Sequence, residues 1–471
     1  MSSVLAARLF GWTASVFYRV EKTGGPLPAG PVLVTANHPN ALLDPLLIFH
    51  TAGRPARPLA KAPLFQQVFV GSMLRLLGGL PVYRKQDDPT QMQRNGETFR
   101  RAIEALGQGD AVQIFPEGRS HSEPALMPLR TGAARIALAA EAQHDWRLGL
   151  SLVPVGITYR RKSLFRGDAL VIIGQAYGIT DLRPEYERDE QECVRRLTDR
   201  IAERLQVVTL NLAQHEDQEL IETAEALYVR ELGISRPRER DELLERMPRL
   251  KQFAQGMAWL RATDPERHER LSRAVRRYAR VSRLLGVREG DVPGRYEAGS
   301  VLHYSIRASV YLLLGALPAL LGTALWYPPY WLPRVIGNRL KVDFESIATY
   351  KLAIGLLAFP LTLAVYVFLA WNWAGLAAAS AVAIGLPLLG FVALAWRERW
   401  DRVREDVRLF LRVLSRQRTA ERLAQYRRSL SREFDAVRAG VSGVSGVSGV
   451  SGVSGVSGVS GVSGGQRNDN D

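Results

Sequence analysis

The chain has 471 residues, 46% of them hydrophobic, which is enough for two or three domains with buried cores. A formal charge of +15 suits nucleic acid, an anionic membrane surface or a phosphorylated substrate, and the apolar segments near the C-terminus favour the second and third. The single cysteine, Cys193, excludes an internal disulfide and, with no metal-type Cys/His spacing, a cysteine-rich zinc module; a reducing compartment fits it.

Residues 1–20 predict an N-terminal helix in which Val4, Leu5, Leu9, Phe10, Trp12, Val16 and Phe17 accompany one charge, Arg8. It is too interrupted for a secretory signal and too short to span a bilayer, so it lies at a membrane interface or packs on the domain core. Over residues 21–180, β-like runs at 32–35, 81–84, 111–115, 150–158 and 169–173 alternate with helical stretches such as 92–106 and 131–141. This alternation predicts an α/β domain, a mixed sheet flanked by helices.

Four stretches of that domain carry chemistry. In Asn37-His38-Pro39-Asn40-Ala41-Leu42-Leu43-Asp44, a histidine and a carboxylate sit between a β-like run and an apolar one. His38 can take a proton near neutral pH and Asp44 can orient and charge-stabilise it, although a lone pair at this spacing is more often an ordinary turn. The run Gly78 to Lys85 ends a strand on the adjacent cations Arg84 and Lys85, where a phosphate could be held, although in isolation such a pair is more often a solvated strand end. In Phe115-Pro116-Glu117-Gly118-Arg119-Ser120-His121-Ser122, a strand end gathers amides, a carboxylate and hydroxyls, and Arg130-Thr131 opens a small-residue helix whose N-terminus attracts anions. The apolar strand Leu152 to Ile157 is interrupted by Pro154, which suggests an edge or a bulge and an apolar wall of the kind an acyl chain needs.

Taken in order, these blocks resemble the four blocks of the phospholipid and glycerol acyltransferase family, over about residues 30–180. Five residues separate His38 from Asp44 where the family usually has four, and the wording NHPNALLDP and FPEGRSHSEPALMPLRTG is most similar to the glycerol-3-phosphate and dihydroxyacetone-phosphate acyltransferase branch. The resemblance implies that His38 is the general base and Asp44 its partner, that Arg84 contacts the acceptor phosphate, and that Glu117, Gly118 and Ser120 seat the acceptor. Lys85, Arg119 and Arg130 join them on charge and position alone. His121 offers a second proton carrier or is a surface histidine. No metal or cofactor is implied; the acyl donor, acyl-CoA or acyl-carrier protein, is a co-substrate.

Residues 181–300 read as an α-helical domain of about four helices with solvated, Arg- and Glu-rich faces. Residues 301–400 form the membrane region. Segment 308–327 is broken at Pro318 and re-entrant or spanning, while spans 352–371 and 374–396 form a hairpin joined by Asn372 and Trp373. That arrangement keeps both soluble parts cytoplasmic, at the inner membrane if the source is bacterial, in line with the flanking arginines. Residues 397–438 carry six more positive than negative charges, and 401–438 predict a basic amphipathic helix near headgroups, or a plain solvated one. Residues 439–471, with eight Val-Ser-Gly repeats, predict a disordered tail.

The expectation is a membrane-bound O-acyltransferase moving a fatty acyl chain to the hydroxyl of glycerol 3-phosphate or dihydroxyacetone phosphate. Its partners are then an acyl thioester, a phosphorylated glycerol-type acceptor and membrane lipid. The rivals are an acyltransferase for lysophosphatidate and an inert membrane scaffold with the same fold. No nucleic-acid recognition motif accompanies the charge.

Overall fold

Val32-Leu33-Val34-Thr35-Ala36 is buried along its whole length, and a strand with no solvent face needs cover on both sides. In the computed structural model, which describes residues 2–83, 93, 95–160, 162–212, 215–231, 243–284, 298–339, 347–415 and 417–445, it lies near the middle of a seven-stranded sheet. Along the chain come α1 (Ser2–Phe17), β1 (Tyr18–Thr23), β2 (Val32–Ala36), α2 (Leu43–Thr51), β3 (Ala56–Lys61), α3 (Val68–Leu76) and β4 (Leu80–Val82). They are followed by α4 (Asn95–Gly107), β5 (Ala111–Ile114), α5 (Gly132–Gln143), β6 (Ser151–Arg160) and β7 (Gly167–Ile173). The sheet order is β1-β7-β6-β2-β5-β3-β4, parallel throughout except for the β6/β7 pair. This is the mixed sheet flanked by helices that the alternating pattern predicts.

The sheet divides two cores. Val32, Val34 and Ala36 pack with α1 and α2 side chains such as Ala14, Phe17, Leu46 and Leu47, whereas Leu33 points to the other face with Leu106, Ile136 and Leu138. A second helix pair, α6 (Arg183–Arg188) and α7 (Glu190–Val208), follows β7. Although α7 reads as charged, its stripe Val194, Leu197, Ile201 and Leu205 is buried on the sheet. Residues 183–208 therefore pack with the α/β domain and not with the charged region to which the sequence assigns them. The end of α7 lies so close to β6 that a Cβ at Gly156 would meet the Val208 carbonyl oxygen at 1.9 Å, so this position admits no side chain. Pro154 marks neither an edge nor a bulge. Strand β6 is interior, and the missing N–H falls where the β6/β7 ladder ends, with Gly174 N–H donating to Pro154 O at 2.8 Å.

Three helices, α8 (His215–Glu231), α9 (Leu243–Thr263) and α10 (Pro265–Leu284), pack around Leu227, Leu250, Leu260 and Tyr278. Beyond them the chain forms α11 (Ala298–Arg339) and α12 (Ile347–Ser415), then returns as α13 (Gln417–Ser445), whose Leu423, Leu430, Phe434 and Val437 complete the same core. The basic C-terminal helix thus uses its apolar face against the bundle. Helix also persists to Ser445, beyond the residue at which the tail was expected to begin; residues 446–471 lie outside the described residues.

Two stretches, Ile306–Leu325 and Ile347–Asp401, are long and apolar enough to cross a membrane. Helix α11 runs through Pro318 without the expected break. Helix α12 turns at Gly375, whose φ of 77° and ψ of −168° lie outside helical space, close to the expected Asn372-Trp373 joint. Tyr366 OH and Trp326 Nε1 donate to Leu325 O and Leu386 O at 3.2 and 2.8 Å, so both arms of α12 flank α11. The base of the hairpin docks on the α/β domain: Lys351 Nζ donates to Ser163 O at 3.3 Å, and Glu398 pairs with Arg166 at 3.2 Å. Helix α1 packs on α2, the core-packed alternative of the two expected, and leaves Leu9 and Trp12 exposed.

Candidate active site

Parallel neighbours β2 and β5 end on the same edge of the sheet, the usual ligand side of an α/β fold, and each leads into one of the two candidate turns. The first begins at Asn37. Its side-chain amide donates to Ile157 O at 3.0 Å and accepts from Ile157 N at 2.7 Å, which closes the β2/β6 ladder where the backbone leaves it. The five residues between His38 and Asp44 fold into a turn in which Ala41 takes φ 42°, a left-handed conformation that costs a residue with a Cβ. That turn starts α2 at Leu43 and brings Asp44 Oδ2 to 2.8 Å from His38 Nδ1.

Asp44 is fully buried, and donors replace the water it has lost. Its Oδ2 accepts from Asn40 N at 2.7 Å, and Oδ1 accepts from Tyr159 OH at 2.7 Å. Burial, reinforced by the Asp44 charge, holds the Tyr159 phenol well above its ordinary 10.0, so it remains a donor at neutral pH. Tyr18, raised chiefly by burial, accepts from Asn40 Nδ2 at 2.7 Å and donates to Lys162 O. The His38 ring stacks on Phe115 with centroids 4.0 Å apart and planes at 15°. With Nδ1 committed to Asp44, Nε2 is the nitrogen free to take a proton; the side chain is 18% exposed and lines the cavity described below.

In the second turn, Gly118 adopts φ 75°, which a residue with a Cβ reaches only under strain, and its N–H donates to Phe115 O at 3.0 Å. Arg130 N donates to Pro116 O at 2.7 Å and so ties the start of α5 to this turn. Glu117 was expected to seat the acceptor; the fold gives its oxygens to protein donors instead. Oε1 accepts from His38 N at 2.9 Å, and Oε2 accepts from Met127 N at 2.9 Å and from His121 Nε2. The carboxylate is buried and stays off the cavity wall, acting as a strut between the turns. His121 belongs to the same strut and not to the outer surface. Its Nδ1 accepts from Glu123 N at 3.2 Å and its backbone N–H donates to His38 O at 3.1 Å, so both ring nitrogens are engaged. A further link, absent from the sequence reading, is Lys162. Its Nζ donates to Pro39 O at 3.0 Å and to Ser122 Oγ at 2.6 Å, one partner in each turn.

Both turns open on a cavity of about 1350 Å³, larger than the ~300–1,000 Å³ that holds a drug-sized ligand. His38, Gly118, Arg119, Ser120, His121 and Arg130 all line it. Lys61, at the carboxyl end of β3, joins them and was missed by the sequence reading. Among the described residues Lys61 and Arg130 have no carboxylate partner, while Arg119 makes one weak contact, 3.6 Å to Met127 Sδ. Arg84 and Lys85 lie outside the described residues. The apolar lining also differs from expectation. It comes from Leu42, Pro45, Leu64, Val70 and Leu74 and from α12, not from the Leu152 to Ile157 strand.

The acyltransferase family model matches residues 19–158, and the model of the glycerol-3-phosphate acyltransferase 2 C-terminal domain matches residues 244–439. An uncharacterized acyltransferase of Schizosaccharomyces pombe is 25% identical over 76% of this chain and 67% of its own length. Glycerol-3-phosphate O-acyltransferase 1 of Saccharomyces cerevisiae is 31% identical over 30% of this chain, a match that spans only 19% of that protein. A crystal structure of the 1-acyl-sn-glycerophosphate acyltransferase of Thermotoga maritima aligns at 20% identity, with a TM-score of 0.32, over 43% of this chain and 80% of that one. The two family matches meet the site from both sides: residues 19–158, which hold the two turns, are similar to the acyltransferase family, and residues 244–439, which include the helices docked against them, are similar to the glycerol-3-phosphate acyltransferase 2 C-terminal domain.

Proposed function

We propose that this protein is a membrane-bound glycerolipid O-acyltransferase that moves a fatty acyl group from a thioester donor, acyl-CoA or acyl-carrier protein, to the hydroxyl of glycerol 3-phosphate or dihydroxyacetone phosphate. The observation that carries the reading is the His38–Asp44 pair at 2.8 Å, with His38 lining a cavity whose wall also carries Lys61, Arg119 and Arg130 and a long run of apolar side chains. His38 Nε2 takes the proton of the acceptor hydroxyl as that oxygen attacks the thioester carbonyl, and Asp44 stabilises the imidazolium that forms. Collapse of the tetrahedral intermediate breaks the C–S bond, and the thiolate leaves with the proton returned by His38. No acyl-enzyme is required. Arg119, Arg130 and Lys61 supply charge-assisted bonds for an acceptor phosphate, and Arg84 is assigned to the same group by the family pattern. Glu117 and Lys162 hold the two turns in register.

The cavity is large enough for an acceptor that already carries one acyl chain, which keeps lysophosphatidate as the second reading. The test is acyl transfer by membranes containing the full chain, with radiolabelled glycerol 3-phosphate, dihydroxyacetone phosphate and lysophosphatidate as rival acceptors and His38→Ala as control. Product from the small acceptors that vanishes in the variant is the expected result. Product from lysophosphatidate alone selects the second reading, and no His38-dependent ester from any acceptor overturns both.

A further inference from the structure

The cavity at His38 is completed by the hairpin helix α12. Thr349, Tyr350, Ala353, Ile354 and Leu357 line it together with Leu64, Val70 and Leu74 from the turn after β3 and from α3. The hairpin is seated there: Ala348 is buried in the core that α1 and α2 share with the sheet, Leu352 packs against that core, and Lys351 is bonded to Ser163 O. Tyr350, Ile354, Leu357, Leu361, Val365 and Phe368 follow the spacing of a single helix face. The first three line the cavity; from Leu357 onward the side chains of this face are largely exposed, 61% at Leu357 and 66% at Leu361. One apolar stripe therefore starts beside the His38 site and continues along a helix apolar enough to lie in lipid.

We infer that the first arm of α12 is the specificity-determining wall of the acyl-chain site: the donor's hydrocarbon chain lies along Tyr350, Ile354 and Leu357 and leaves the cavity beside Leu361 into the bilayer. The inference rests on the function proposed above, because it takes the thioester carbon to be at His38. An occupant of this chemistry is favoured by the cavity itself, whose wall carries Lys61, Arg119 and Arg130 yet no charged side chain along the described lining of α12. The membrane hairpin is then a part of the substrate site as well as an anchor.

Two measurements on the full chain in phospholipid vesicles test it. In the first, a palmitoyl thioester with a terminal diazirine is photolysed with the protein, which needs no turnover. Label within residues 347–361, suppressed by excess unlabelled palmitoyl-CoA, supports the inference; label that ignores the competitor, or that falls only on Leu64 to Leu74, overturns it. In the second, Ile354→Trp narrows the wall, and the ratio of palmitoyl to octanoyl transfer falls about tenfold or more, the scale on which apolar pockets discriminate methylenes. An unaltered ratio overturns the inference. Failure of the proposed function has a different signature, in which competed label on α12 persists while no acceptor gives a His38-dependent ester.

Discussion

The turn that carries His38 and the cationic rim around it face the same cavity but are built in opposite ways. In the turn, Asp44 is sealed from solvent and satisfied by His38, Asn40 and Tyr159, and Glu117 and Lys162 brace the backbone on either side. On the rim, Lys61, Arg119 and Arg130 are exposed and, among the described residues, nearly without protein partners. A group that must hold a proton-transfer geometry is worth fixing before substrate arrives, whereas a cation that meets a doubly charged phosphate keeps its hydrogen-bonding capacity for the ligand. Under the proposed function, the difference separates residues that set the rate of the chemical step from residues that set the affinity for the acceptor.

The largest effect expected from that division belongs to His38→Ala, which lowers kcat by roughly 10²–10⁴-fold with a small change in the acceptor KM, measured as labelled ester formed. Asp44→Asn lowers kcat by about 10²-fold, and adding it to His38→Ala costs little more, because the two act as a unit; additive losses in the double variant would break the pairing. Tyr159→Phe removes one hydrogen bond to a buried carboxylate, which destabilises the protein by about 1.5–3 kcal/mol in thermal or denaturant unfolding and lowers kcat less than Asp44→Asn does. Arg130→Ala raises the acceptor KM several-fold and leaves kcat nearly unchanged; a fall in kcat of the size given by Asp44→Asn would move Arg130 from the rim into the machinery.

The smallest expected effect is on alkaline stability. The folded pKa of Tyr159 lies above the ordinary 10.0, so below that pH both folded and unfolded states hold the proton and the phenol contributes no pH dependence. As pH rises past 10.0 only the unfolded chain releases it, and stability falls. Tyr159→Phe flattens that decline, and an equally steep decline in the variant would assign it to other groups.

The legible part of the site lay in two short runs. His38 with Asp44, and Pro116 with Glu117 and Gly118, stand within a few positions of each other beside strand ends, where turn chemistry shows in the residues themselves. Tyr159 and Lys162 were not legible, since their bonds to Asp44 and Pro39 cross 115 and 123 positions with no local periodicity to announce them. Lys61 was hidden with its strand: in Ala56-Arg57-Pro58-Leu59-Ala60-Lys61, a proline and two cations mask a run that becomes a strand only because β5 and β4 pair with it. Helix α7 was assigned to the wrong neighbour because its solvent face dominates its composition while a single stripe does the packing.

By itself the sequence determined what local chemistry determines: the α/β alternation, the two turns with their histidine and carboxylates, and the apolar lengths near the C-terminus. Only the tertiary structure decided which neighbour each surface meets. It made Glu117 a strut, drew Tyr159 onto Asp44, folded α13 back onto α8–α10 and set α12 against the His38 cavity. The physical reason is that a strand or helix announces its own buried face through its period, whereas the partner for that face is selected by shape and by unsatisfied polar groups far away along the chain.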